Sequence, residues 1–265
     1  MTIWAVVPAA GIGSRMQVAI PKQYLRINGQ TVLSLTLARL SALAQVERIM
    51  LVLSPDDRHW ARHNSVYNPE RDKVLTCVGG EDRWQSVLNG LDALAGLAGP
   101  DDWVLVHDAV RPCVRVDDML RLLELAAGEG TGKGASESIR KSSGGLLALP
   151  VSDTLKRADS ERNVEQTVDR DALWAACTPQ LFPFQRLRDA LRAASAAGVT
   201  LTDEASAMEW AGEHPQLVPC HKDNIKITYA EDLQLAELIL QAQAQALETR
   251  ATAETGTQAY TGILE

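Results

Sequence analysis

Two cations stand beside a small-residue turn near the start of the chain. The segment VVPAAGIGSRM occupies residues 6–16 and PKQYL follows at 21–25, so Arg15 and Lys22 flank a turn containing Ala9, Ala10, Gly11 and Gly13. A strand that breaks into a glycine turn and then a helix can hold phosphate: the backbone approaches closely and free N–H groups point at the anion. The dinucleotide form of this device needs G-x-G-x-x-G and a later acidic residue. Here Met16 stands at the third glycine and the next notable residue is the cation Lys22. The stretch by itself is equally a plain tight turn. Two cations beside it, with Pro21 fixing the backbone before Lys22, are what a triphosphate requires.

Further along, Asp108 follows the apolar run WVLVH, at the carboxyl end of a buried strand, where open α/β sheets place their ligands. A carboxylate there can hold Mg²⁺ directly or through water, or can simply cap the next turn ahead of Pro112. His107 reads as a packed strand residue. The segment GGEDRWQSV (79–87) enters a helix from a glycine pair; Ser86 is either a site hydroxyl or an early-helix hydroxyl, and Arg83 reads as a surface charge. Lys226 lies in DNIKIT, read as a short strand, so its side chain points away from Ile225 and Ile227. That alternation suits a solvated face or a cation aimed at a site. No H-E-x-x-H motif or C-x-x-C pair is present. The fragment TGKG (131–134) is not a P-loop, because Ala127 and Gly134 occupy positions that require Gly and Ser/Thr.

These residues need a scaffold, and the rest of the chain supplies one. Near-continuous apolar runs (IWAVVP, RIMLVLS, KVLTCV, WVLVHD, LLALPV) fit strands buried on both faces of a mostly parallel sheet. Helix-period stretches alternate with them, so the expected fold class is α/β, Rossmann-like, with helices on both faces. Residues 150–173 read as an antiparallel β-arm with DSERN as its turn. Residues 128–145 read as a flexible loop, 1–248 as one domain, and 249–265 as a frayed tail beyond the last helix. The net charge of −8 over 265 residues argues against broad nucleic-acid binding, and no run of 18 apolar residues suggests a membrane span. Four scattered cysteines and no leader-like start point to the cytoplasm.

The same segments carry a resemblance. PAAGIGSRM with PKQYL is similar to the sugar-phosphate nucleotidyltransferases. GGEDRWQSV, VHDAVRPC (106–113), VSDTLKR (151–157), TVDRDALW (167–174), TPQLF (178–182), TDEASAME (202–209) and DNIKIT (223–228) follow in order. Together they resemble the 2-C-methyl-D-erythritol 4-phosphate cytidylyltransferases over residues 3–240. The resemblance implies transfer from CTP to methylerythritol phosphate, with pyrophosphate released and Mg²⁺ or another divalent cation required. It implies Arg15, Lys22 and Lys226 as catalytic cations. It implies Ala9, Ala10, Gly11, Gly13, Gly79, Gly80, Glu81, Ser86, Asp108 and Ala109 around the nucleotide. It implies Arg111, Thr154, Arg170, Thr178 and Thr202 on the sugar phosphate, with Thr202 also readable as a helix N-cap. It further implies a homodimer through the arm. The nucleophile would be a phosphomonoester, largely dianionic at neutral pH, which explains why the sequence shows no acid–base constellation.

Three departures stand out: Val110 replaces the usual Ala, the 128–145 loop looks long, and the tail is extra. A ribitol-5-phosphate cytidylyltransferase would share every feature except the acceptor pocket. A non-catalytic nucleotide-binding module is the alternative of a different class.

Overall fold

The computed structural model describes residues 1–11, 20–64, 73–128 and 142–261, and leaves out the side chains of 250–261. Residues Gly13 and Arg15, and most of the 128–145 loop, fall outside the described residues.

The chain opens with β1 (Ile3–Pro8). A single 3-10 turn (Lys22–Tyr24) leads to the short hairpin β2 (Arg26–Ile27) and β3 (Gln30–Thr31), then α1 (Val32–Ser41), whose first turn is capped by Thr31. Next come β4 (Val46–Leu53), α2 (Trp60–Asn64), β5 (Val74–Val78), α3 (Arg83–Leu94) and β6 (Trp103–Val106). Helix α4 (Val116–Ala127) ends on Gly128 in the left-handed region, a common C-terminal stop. After β7 (Gly145–Pro150) the chain leaves the main sheet for a hairpin of β8 (Leu155–Ala158) and β9 (Val164–Val168). It returns as β10 (Trp174–Pro183), followed by α5 (Phe184–Ala196), α6 (Glu204–Trp210), β11 (Gln216–Pro219) and α7 (Glu231–Thr261).

The seven-stranded sheet has the order β11-β7-β10-β6-β1-β4-β5. β5, β4, β1 and β6 run parallel; β10 is antiparallel to both β6 and β7, and β11 pairs parallel with β7. Alternation along the strands divides the core in two. Ile3, Ala5 and Val7 face α1 and α4, while Trp4 and Val6 face α3, α5 and α6. Both strand faces are therefore apolar, as the continuous runs require. The chain moves outward from β1 to β4 and β5, then returns to β6 on the other flank of β1. That reversal opens a crevice at the carboxyl ends of β1 and β6, the place where such sheets bind ligands.

The expected fold class holds, and the structure refines its parts. DSERN is the turn of the β8–β9 hairpin: Asp159 Oδ1 accepts from the N–H groups of Glu161 at 2.9 Å and Asn163 at 2.8 Å. The segment WAACTPQLF (174–182), just past the arm, is the antiparallel strand β10 of the main sheet. DNIKIT forms no strand; among its ties to the body is one ladder-like bond, from Ile227 N–H to the Val110 carbonyl at 3.0 Å. The last helix continues to Thr261 rather than stopping near residue 248.

Candidate active site

The crevice is built from the turns that leave three strands. After β1, Ala9 N–H bonds the Val52 carbonyl at 2.8 Å, which aims Ala9, Ala10 and Gly11 across the sheet end. Gln23 holds this turn from below: it is buried, and its amide donates to the Ala9 carbonyl at 2.8 Å. The sequence reading missed Gln23, which lies in the very PKQYL segment that supplied Lys22.

After β5 come Gly79 and Gly80. A β-carbon on Gly79 would lie 2.6 Å from Ala10 Cβ and 2.8 Å from Ser86 Oγ, so two turns meet there without room for a side chain. Ser86 is buried on α3; its Oγ accepts from Gly80 N–H at 3.2 Å and donates to the Asp82 carbonyl at 3.1 Å. Its hydroxyl thus shapes the glycine turn, which leaves backbone groups to face a ligand.

After β6 comes Asp108, whose side chain is 7% exposed and is surrounded by three cations. Arg83 Nε lies 2.9 Å from Oδ1; Lys226 Nζ at 2.9 Å and Arg111 Nε at 3.5 Å flank Oδ2. Burial alone would raise the carboxyl pKa; Arg83, Lys226 and Arg111 outweigh it and hold the group far below the usual carboxylate range. Asp108 is therefore a fixed negative charge inside a positive ring.

Behind it, β10 brings Thr178 and β6 brings His107. His107 Nε2 is 3.1 Å from the Arg111 carbonyl, which can only accept, so this nitrogen carries the proton. Nδ1 then accepts from the Thr178 hydroxyl at 3.0 Å, and that hydroxyl accepts Asp108 N–H at 3.0 Å. Burial lowers the His107 pKa to about 4, so the ring is neutral and its hydrogen bonds are spent on structure. The reading of His107 as a packed residue is borne out.

One cleft is lined by Pro8, Ala9, Ala10, Gly11, Lys22, Gln23, Gly80, Glu81, Asp82, Arg83, Ser86, Asp108, Ala109, Val110 and Lys226. Lys22 donates to the Ile227 carbonyl at 3.1 Å, so both lysines sit on the same wall. Lys226 points away from buried Ile227, as the alternation required, although no strand is present. Arg111 and Thr178 stand behind Asp108, and Arg111 also donates to the Asn224 carbonyl at 2.7 Å. Thr202 is exposed and precedes α6, whose N-cap is Asp203, not Thr202: the Asp203 carboxylate accepts Ser206 N–H at 2.9 Å. Thr154 and Arg170 sit at the base of the arm, where Arg170 donates to the Ser152 carbonyl; neither lines this cleft.

Arg83 is the main correction. It is no surface charge: it pairs with Asp108 and forks onto Glu204, which is 0% exposed. Nothing local announces this, since Arg83 and Glu204 lie 121 positions apart.

A glycine turn, convergent cations and one carboxylate at the switch point of a parallel sheet define an α/β nucleotidyltransferase. The family model for 2-C-methyl-D-erythritol 4-phosphate cytidylyltransferase matches residues 3–242. A protein of that description from Escherichia coli is 48% identical over 241 residues, covering 91% of this chain and 94% of the relative. One from Vibrio parahaemolyticus is 46% identical over 236 residues, covering 89% and 94%. The crystal structure of the Francisella tularensis 2-C-methyl-D-erythritol 4-phosphate cytidylyltransferase aligns with a TM-score of 0.74 at 35% identity, over 90% of this chain and 100% of that one. The chain belongs to the 2-C-methyl-D-erythritol 4-phosphate cytidylyltransferase family. It is a transferase that joins CTP to methylerythritol phosphate in isoprenoid precursor synthesis, with release of pyrophosphate.

Proposed function

We propose that this transfer proceeds in the described cleft by positioning and fixed charge, without a general base. The observation that carries the reading is the convergence of Lys22 and Lys226 with the Gly79–Gly80 turn around ionised Asp108. The attacking phosphomonoester is already largely dianionic, so it needs no proton removed. Its difficulty is approaching a triphosphate of the same sign. Lys22, Lys226 and Arg15 are the cations that offset this repulsion and the charge growing on the pyrophosphate. The backbone at Ala9–Gly11 and Gly80–Glu81 receives the nucleotide, with Ala109 beside it. Lys226 rests on Asp108 at 2.9 Å and is half-exposed, so it can turn to a phosphate oxygen without leaving a deep pocket.

Mg²⁺ fits this donor set. Among the described residues no group of three His, Cys, Asp or Glu side chains could cage an ion. Mg²⁺ does not need one, because it takes one or two carboxylates together with waters and substrate phosphates. Asp108 is the residue that would hold it, and the ion would supply charge neutralisation on the phosphate oxygens.

Arg170, Thr154, Arg111, Thr178 and Thr202 are assigned to the acceptor. Arg170 and Thr154 lie on the arm, away from the cleft of the same chain, which supports a dimer in which each arm serves its partner. The β8–β9 hairpin forms a separate two-stranded sheet with Val164 62% exposed, and such a hairpin alone is marginal in water. Residues 1–248 form the catalytic domain, and the four free cysteines fit a cytoplasmic setting.

The test is pyrophosphate release from CTP and Mg²⁺ with methylerythritol phosphate, ribitol 5-phosphate or no acceptor. Release with methylerythritol phosphate alone is expected. Release with ribitol phosphate alone would reassign the acceptor, and silence with both would leave a nucleotide-binding module.

A further inference from the structure

One guanidinium in the cleft is shared by two buried carboxylates from different parts of the chain. Arg83 Nε donates to Asp108 Oδ1 at 2.9 Å, while its terminal nitrogens fork onto Glu204 at 2.6 and 3.1 Å. Arg83 opens α3, directly after the nucleotide turn, and lines the cleft. Glu204 opens α6, two residues after Thr202, and is completely buried. A buried carboxylate is expensive unless a cation and hydrogen bonds compensate it, and here Arg83 is the ion-pair partner among the described residues.

The start of α6 is itself anchored on β10. Gln180, also buried, accepts Ala205 N–H at 2.8 Å and donates to Asp203 Oδ2 at 2.8 Å. Glu204 is thus presented from a fixed helix end. Its two oxygens orient the planar guanidinium, and the remaining Nε–H orients Asp108. A lysine at 83 could neutralise charge but could not make this three-point contact, because an ammonium is a point charge without a fork.

We propose that Arg83 and Glu204 are positioning residues for cytidylyl transfer. Glu204 aims Arg83, Arg83 holds the Asp108 carboxylate in register with the nucleotide turn, and the pair ties the acceptor-side start of α6 to the nucleotide side of the cleft. The proposal rests on the cleft being the CTP site. Glu204→Gln keeps the size and one acceptor oxygen but loses half the fork. Arg83→Lys keeps the charge and loses the fork.

The experiment measures kcat, KM for methylerythritol phosphate and Kd for CTP by calorimetry in the parent and both variants, with thermal melting as the folding control. For E204Q the expected result is a kcat loss of roughly tenfold or more, the scale of one charge-assisted hydrogen bond, a raised acceptor KM and a CTP Kd near the parent's. For R83K the expected result is a similar kcat loss together with weaker CTP binding. Parent-like kcat and KM in either folded variant would overturn the proposal. So would activity losses that only track the unfolded fraction. If E204Q fails to fold, R83K alone decides. An inactive parent that still folds would count against the functional reading, not against the positioning argument.

Discussion

Replacing Asp108 by Asn removes one negative charge and preserves shape, and the structure fixes what each neighbour does next. Arg83 keeps its fork on Glu204. Arg111, 11% exposed, keeps the Asn224 carbonyl at 2.7 Å but loses its ionic partner. Lys226, 42% exposed, returns to water at little expense. Breaking a buried ion pair from one side destabilises by about 3–5 kcal/mol, and with two of three cations re-housed the lower end applies, about 3 kcal/mol. For a chain of this size that corresponds to a Tm drop of roughly 6–12 °C. The functional effects run in opposite directions. The cleft becomes more positive by one charge, so CTP should bind tighter than to the parent in EDTA. Turnover should fall by at least about a hundredfold, the scale of losing one preorganised electrostatic group, and Mg²⁺ should stimulate it far less. Melting, calorimetry in EDTA and pyrophosphate release against Mg²⁺ concentration read these three effects. A variant that melts within about 2 °C of the parent, binds CTP more weakly without metal, or keeps its metal response would refute the account of Asp108 as a compensated, metal-holding carboxylate.

Gly79→Ala forces a methyl to within 2.6 Å of Ala10 Cβ and 2.8 Å of Ser86 Oγ; overpacking of this kind costs about 1–3 kcal/mol, and it should lower both Tm and CTP affinity. His107 is neutral in the fold with a pKa near 4, below its ordinary 6.5. The unfolded chain therefore binds the extra proton between these values, and stability contributed above pH 6.5 should drain away as pH falls toward 4. Melting curves of the parent and His107→Gln across that window should differ in slope, the variant being flatter. Arg170→Ala should raise the KM for methylerythritol phosphate while sparing CTP binding; equal losses in both would misplace the residue. If the proposed arm-mediated dimer forms, the parent should sediment as a dimer and Val164→Asp, on the exposed arm, as a monomer that loses acceptor use; a monomeric parent, or a monomeric but fully active variant, would show that the arm does not serve a partner's site.

Much of the scaffold was legible because it rests on local physics. Strands buried on both faces must be apolar at nearly every position, and β1, β6 and β4 from Ile49 onward are. Helices packed on one side repeat every three to four residues, which located α1, α3, α4 and α5. The glycine pair at 79–80 marked a turn, and Asp108 announced itself by ending an apolar run. Lys226 was aimed correctly by simple alternation, even though the expected strand is absent. The place of β10 was not legible for a physical reason: an antiparallel strand returning beside β6 has no local signature that separates it from an arm strand. β11, with three of its four residues exposed, carried too little apolar signal to be seen.

What the residues offered alone is a setting suited to phosphate, glycine turns beside cations; the family resemblance of the same segments supplied the reaction and its lack of a base. What only the tertiary structure decided is how those charges are wired. Arg83 looks like any polar residue at a helix start, and Glu204 like any acid in a first turn. Folding places them 2.6 Å apart and sets Arg83 on Asp108 as well, which also gathers Lys226 from the far end of the chain. Charge compensation in a buried site is a property of three-dimensional neighbours, and local sequence carries no term for it.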